Sequence, residues 1–220
     1  MPHTAQIAIN QKPVPYHLAL AFMQTYVDEM EEGDNFVWLL EHLPVYTAGT
    51  SANENELLNA KHPVVHTNRG GKFTYHGPGQ RVVYLMLNIK ELHFGKPDIK
   101  KFVKQLEEWV LESLQEMGVE CFTREGRVGV WAKEGDEEKK IVALGIRVRR
   151  WKSFHGIALN ITTDAKEYDG IIPCGIKEFG VTSLHKLGKD LAIEVIDKIL
   201  INKLSKKFNL EFNYVNEIEL

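Results

Sequence analysis

Between residues 69 and 80 the chain reads Arg69-Gly70-Gly71-Lys72-Phe73-Thr74-Tyr75-His76-Gly77-Pro78-Gly79-Gln80, with four glycines in twelve residues. The run that follows, Arg81-Val82-Val83-Tyr84-Leu85-Met86-Leu87-Asn88-Ile89, has the apolar density of a buried strand. A glycine-rich loop therefore lies directly against a sheet core. Glycine allows positive φ and lets the backbone approach a ligand closely. Arg69 and His76 inside this loop make it a candidate ligand wall. The loop lacks the Gly-Lys-Ser/Thr ending of a phosphate-cradling P-loop, so ATP binding is not indicated.

The surrounding pattern mixes helix and strand periods. Tyr16, Ala19, Leu20, Met23, Tyr26, Val27 and Met30 recur at helical spacing, predicting a helix from Pro15 to Glu32. A second helix is predicted from Asp98 to Met117, with Gly118 as its stop, and a third from Leu191 to Phe208. Strands are expected at Phe36–Leu43, His62–Thr67, Val82–Ile89, Val119–Arg124 and Val128–Ala132. Two more, Lys140–Arg149 and Ser153–Ile161, should pair as a hairpin across Arg150-Trp151-Lys152. Thr47–Asn59 reads as loop, Lys133–Lys139 as a charged turn, and Tyr168–Thr182 as irregular. With no repeat or linker, one α/β (α+β) domain over residues 1–220 is the simplest organisation.

At 44% hydrophobic and 26% charged, the chain can bury a sizeable core without staples. Its net charge of −3 argues against nucleic acid as a partner, since phosphate binding needs a concentrated basic surface. The run Arg147-Val148-Arg149-Arg150-Trp151-Lys152 is a local exception, either a solvated strand end or a dock for an acidic protein. Two cysteines, Cys121 and Cys174, suit a reducing compartment. No apolar stretch is long enough for a membrane helix, and no signal peptide is evident at the start. A cytoplasmic location and no membrane association are expected.

Cys174, in Gly170-Ile171-Ile172-Pro173-Cys174-Gly175-Ile176, sits on a constrained backbone that can present a thiolate to a cleft. The competing reading is a buried, inert thiol, the commoner state of a free cysteine. Lys140 opens the apolar run Lys140-Ile141-Val142-Ala143-Leu144-Gly145-Ile146. It either snorkels to water or stands desolvated, where it could serve a thiol as base or counter-ion. Lys139 competes for that role, and spacing does not decide between them. His42, His76 and His155 read as hydrogen-bonded core residues or as the lining of one cleft. No pair has the short spacing of zinc ligands, so no metal is expected.

Taken together, these blocks resemble one family. Arg69-Gly70-Gly71 through Thr74, and His76-Gly77-Pro78-Gly79-Gln80, are similar to the signature of the lipoyl(octanoyl) transferases, or lipoate-protein ligase B. The likeness extends to Leu40-Glu41-His42-Leu43-Pro44-Val45-Tyr46-Thr47 and Lys140 through Val148. It continues through Phe154-His155-Gly156-Ile157-Ala158-Leu159-Asn160, Ile172-Pro173-Cys174-Gly175 and Val181-Thr182-Ser183-Leu184. The blocks occur in the family's order over roughly residues 36 to 185.

The resemblance implies the catalytic domain shared by biotin and lipoate protein ligases, a mixed sheet flanked by helices. It implies transfer of octanoate from octanoyl-acyl-carrier protein to a lysine on lipoyl domains of 2-oxo acid dehydrogenases and on the glycine cleavage H protein. It assigns the nucleophile to Cys174 and the acid/base to Lys140 rather than Lys139. It maps the substrate pocket on Arg69, Gly70, Gly71, Lys72, Phe73, Thr74, Tyr75 and His76, on Ala143, Leu144 and Gly145, and on Gly156, Ile157 and Ala158. No cofactor is implied, because a thioester is already activated. Two other readings stay in view: an ATP-dependent ligase on the same fold, and a protein that only binds acyl-carrier or lipoyl domains.

Overall fold

Strands that are apolar on both sides need cover on both faces, and the architecture supplies it. The computed structural model describes residues 2–93, 95–172 and 180–220. Its strands are β1 (His3–Ile9), β2 (Phe36–Leu40), β3 (Val45–Ala48), β4 (Val64–His66), β5 (Phe73–His76) and β6 (Gln80–Met86), then β7 (Cys121–Arg124), β8 (Arg127–Glu134), β9 (Glu137–Arg149), β10 (Lys152–Asn160) and β11 (Leu210–Tyr214). The helices are α1 (Tyr16–Glu29), the short α2 (Ile89–Leu92), α3 (Ile99–Glu116) and α4 (Ile193–Phe208). Eight strands form one mixed sheet in the order β11-β1-β2-β6-β10-β9-β8-β7, and β4-β3-β5 form a small second sheet.

Alternation along the central strands divides the core. Val37 and Leu39 of β2 and Val83 and Leu85 of β6 face α3 and α4, packing with Phe102, Leu106, Trp109, Ile196 and Leu200. Trp38 and Leu40 of β2 and Val82, Tyr84 and Met86 of β6 face α1, against Ala19, Met23 and Val27. The result is a mixed sheet flanked by helices, as expected. α3 begins where Asp98 accepts a hydrogen bond from the Lys101 amide at 3.0 Å and ends before Gly118, at φ +77°. No helix among the described residues is long and apolar enough to cross a membrane.

Several expectations need correction. β1 pairs in parallel with both β2 and β11, and neither β1 nor β11 was expected. Part of the presumed glycine loop is the strand β5, paired antiparallel with β3, whose Thr47 and Ala48 fall in the segment read as loop. The charged turn shrinks to Gly135-Asp136, because Glu134 and Glu137 pair across the β8–β9 hairpin. The β9–β10 hairpin forms as expected. It turns on Arg150 and Trp151, at φ +51° and +64°, with Lys152 opposite Arg149. Positive φ at both central residues matches the right-handed strand twist.

Candidate active site

A cavity of about 280 Å³ opens where the glycine loop meets the middle of β9 and β10. Arg69, Gly70, Gly71, Lys72, Phe73, Thr74 and His76 form one wall. Ala143, Leu144 and Gly145 of β9 and Gly156, Ile157 and Ala158 of β10 form another. These segments lie far apart in sequence and meet because Gly145 and Gly156 are directly paired across β9 and β10. The loop is pinned to β9 by the Gly70 amide, which donates to the Ile146 carbonyl at 3.0 Å. Arg69, only 6% exposed, stiffens it from within: its guanidinium donates to the Thr47 carbonyl at 2.7 Å, to Thr47 Oγ1 and to the Lys72 carbonyl. Tyr75 is the exception among the pocket candidates. Its ring packs away from the cavity, against Tyr46, His62 and Tyr168.

Lys140 reaches the cavity through a β-bulge. Trp131 opposes Lys140 and Val130 opposes Val142, so Ile141 is an extra residue on β9. In a regular strand Lys140 and Val142 would share a face. The bulge instead leaves Ile141 and Val142 both in the core beneath α3 and turns Lys140 to the pocket side with Ala143. Gly129 of β8 lies against the bulge, where an added Cβ would sit 2.6 Å from the Val142 carbonyl. Lys140 therefore does not open its strand or snorkel to water. It is 7% exposed, its ammonium donates to the Val128 carbonyl at 2.9 Å, and it lies 4.8 Å from the Trp131 ring centroid. Lys139 is engaged elsewhere, with Glu134 at 2.8 Å and Glu137 at 3.1 Å.

Cys174 lies outside the described residues. The chain on either side of its segment is anchored beside the pocket. Before it, the Ile172 amide donates to the Glu56 carbonyl at 2.7 Å, and Glu56 pairs with Lys72. After it, the Gly180 carbonyl accepts from the Lys140 amide at 3.0 Å. Cys121 is partly buried on β7, and desolvation pushes its thiol up to about 11.

Next to the cavity is a layer of neutral imidazoles and phenols. Of the three candidate histidines, His76 and His155 line the pocket and His42 sits behind it. His42 Nδ1 donates to the Val14 carbonyl at 2.7 Å, and its Nε2 accepts from the Tyr84 hydroxyl at 2.6 Å. Burial drops His42 to about 4 and His155 to about 3. Burial above all, with His42 and Arg69 adding to it, holds His76 well below the ordinary histidine range. His155 stands at φ +61° inside β10, a strained conformation for a non-glycine residue. Sequence reasoning missed Tyr16, Tyr84 and the rim residues Gly126, Arg127 and Val128, which also line the cavity. Tyr84 had a readable signal, since with Val82 it alternates against Val83 and Leu85. The Gly126 turn had none.

The model of the lipoyl protein ligase A/B catalytic domain matches residues 15–205. An octanoyltransferase of Ehrlichia ruminantium is 45% identical over 203 residues, covering 91% of this chain and 97% of that protein. The octanoyltransferase of Zymomonas mobilis is 51% identical over 174 residues, covering 79% of each chain. Among solved structures, lipoate-protein ligase A bound with ATP superposes with a TM-score of 0.80 at 16% identity, covering 98% of this chain and 90% of that one. The bi-partite lipoate protein ligase from Thermoplasma acidophilum gives 0.79 at 17% identity, covering 98% and 88%. At such identities the structural likeness speaks for the fold alone, and the family follows from the sequence matches: this chain belongs to the lipoyl protein ligase A/B catalytic-domain family.

Proposed function

We propose that this chain is an octanoyltransferase of lipoyl-cofactor biosynthesis, with 1–220 as one catalytic domain, working through an acyl-thioester on Cys174 with Lys140 as acid/base. The observation that carries the reading is the turning of Lys140 into a glycine-walled, largely apolar pocket, with its backbone bonded to the chain that follows Cys174. Octanoyltransferase relatives at 45% and 51% identity support the transferred group.

In the first half-reaction Lys140, as the amine, takes the Cys174 thiol proton. The thiolate attacks the carbonyl carbon of octanoyl-acyl-carrier protein. The C–S bond to the carrier breaks, and the leaving thiolate takes the proton back from the Lys140 ammonium. In the second, the amine of a lipoyl-domain lysine attacks the Cys174 thioester, Lys140 accepts the amine proton, and the amide forms as Cys174 Sγ leaves and is reprotonated. A buried ammonium beside a thiol also favours the thiolate. Gly70, Gly71, Gly145 and Gly156 leave room for an acyl chain to lie against backbone, with Phe73, Leu144, Ile157 and Ala158 as apolar contacts. The acceptors are lipoyl domains of 2-oxo acid dehydrogenases and the glycine cleavage H protein, and the site of action is the cytoplasm.

The test is transfer without nucleotide. Octanoyl-acyl-carrier protein and an unmodified lipoyl domain are mixed with the enzyme, and the domain is weighed by mass spectrometry. Octanoylation in the absence of ATP is expected. Strict dependence on ATP would assign an adenylating ligase on this fold instead.

A further inference from the structure

On the β10 side of β9 the register ends at Val142, and Lys140, still opposite Trp131 of β8, lies beyond it. Its backbone finds other partners. The Lys140 amide donates to the Gly180 carbonyl at 3.0 Å, and the Thr182 amide donates to the Lys140 carbonyl at 2.9 Å. The short strap 180–182 thus takes the place of a neighbouring strand at this one residue, as a parallel bridge through Val181. A three-residue strap has little stiffness of its own, so its anchors decide where the bulged backbone stands.

Those anchors converge on Thr182, which is 3% exposed. Its hydroxyl donates to Glu134 Oε2 on β8, whose other oxygen accepts from Lys139. Its carbonyl accepts from Asn160 Nδ2 at 3.0 Å. Asn160 Oδ1 accepts from Gln80 Nε2 at 3.0 Å, and Gln80 Oε1 accepts from His76 Nδ1 at 2.7 Å. A continuous chain of buried polar groups therefore joins His76 on the loop wall to the backbone of Lys140 on the opposite wall. Networks of this kind rigidify when every member is satisfied.

We propose that Thr182 is a positioning residue: held between Glu134 and Asn160, it fixes the bulged backbone of Lys140 and so the place of the Lys140 ammonium at the pocket. The inference rests on the reading of Lys140 as acid/base. It differs from plain structural burial in its kinetic consequence. A misplaced proton-transfer group slows the chemical step and leaves ground-state binding intact.

The experiment compares Thr182→Val, which keeps shape and loses the hydroxyl, with Thr182→Ser, which keeps the hydroxyl. Glu134→Met removes the same bond from a partly exposed residue and stands in if Thr182→Val does not fold. Steady-state octanoyl transfer is measured for each, alongside Lys140→Ala. The expected result is a fall in kcat of about 10- to 100-fold for Thr182→Val and Glu134→Met, the scale for small misplacements of a catalytic group. KM should stay within about twofold of wild type, and Thr182→Ser should restore most of kcat. If Lys140→Ala is inactive while Thr182→Val and Glu134→Met keep wild-type kcat, the positioning role is overturned and the proposed function stands. If Lys140→Ala transfers octanoate at the wild-type rate, the acid/base reading falls and takes this inference with it.

Discussion

Three pocket glycines differ sharply in what an added methyl group would meet, and alanine at each should separate stability from activity. At Gly156 a Cβ would lie 2.0 Å from the Val83 carbonyl oxygen and 3.1 Å from its carbon. Carbon–oxygen contacts settle near 3.3–3.6 Å, so β6 and β10 would have to part by more than about 1 Å in the centre of the sheet. At Gly145 the nearest atom is the Gly70 carbonyl oxygen at 3.0 Å, which has to give by only a few tenths of an ångström. At Gly70 it is the Ile146 carbonyl oxygen at 3.3 Å. None of the three sits at positive φ, so the effect is contact rather than backbone strain. Overpacking costs about 1–3 kcal/mol and occasionally more. Gly156→Ala belongs at or above the top of that range, Gly145→Ala near its bottom, and Gly70→Ala below it. For a chain of this size about 1 kcal/mol lowers Tm by about 2–4 °C, so Gly156→Ala should lose about 6–12 °C. Gly145→Ala and Gly70→Ala should lose a few degrees at most, yet raise KM for the octanoyl donor because both methyl groups narrow the cavity. Thermal unfolding with a transfer assay reads both. Equal Tm values for Gly156→Ala and Gly70→Ala would refute the reasoning.

The Arg81–Asp197 pair joins β6 to α4 with both side chains buried. Removing one partner of such a pair costs about 3–5 kcal/mol, so Asp197→Ala should lower Tm by roughly 6–20 °C; a loss under 2 °C would mean the pair is not closed in solution. His42 should stay neutral in the fold down to about pH 4 while the unfolded chain protonates near about 6.5. The unfolded state then binds more protons, so this contribution is complete above pH 6.5 and is lost as pH falls toward 4, amounting to about 2 kcal/mol by pH 5. An NMR titration placing the His42 imidazole near its ordinary value would contradict it. On the basic run, Arg147, Arg149 and Arg150 are all exposed, and Arg149 is paired with Asp28. Arg147→Glu with Arg150→Glu should raise KM for an acidic carrier protein and flatten its salt dependence, and Arg149→Glu should do less; an unchanged KM across salt would leave the run as a solvated strand end.

Local patterns were legible in the chain, and long-range pairing was not. The α3 stripe from Phe102 to Leu114 predicted a helix with ends within a residue or two of those observed, although Ile99, counted in the stripe, is 43% exposed. The β9–β10 hairpin followed from two apolar runs around a short turn. β1 carries only a short period-two signal, with Ala5 and Ile7 facing the core. β11 has only Leu210 buried and exists by pairing in parallel with β1, some two hundred residues away. The glycine motif suggested a loop where its middle is a strand, because Phe73, Thr74, Tyr75 and His76 pair with β3 rather than with a sequence neighbour. At the site, motif blocks indicated the loop, Ala143–Gly145 and Gly156–Ala158. Spacing placed neither Tyr75 away from the cavity nor Lys140 toward it. The bulge at Ile141, which inverts the expected facing of Lys140, is a pairing property that no single strand displays.

The central claim is a covalent octanoyl group on Cys174, and the direct measurement is the intact mass of the enzyme after incubation with octanoyl-acyl-carrier protein and no acceptor. The account predicts one octanoyl adduct, labile to hydroxylamine as a thioester is, retained in Cys121→Ser and lost as a thioester in Cys174→Ser. Cys121 is a poor nucleophile near neutrality because burial keeps its thiol protonated. An unmodified wild-type enzyme that still octanoylates a lipoyl domain, or an adduct mapping to Cys121, would contradict the account.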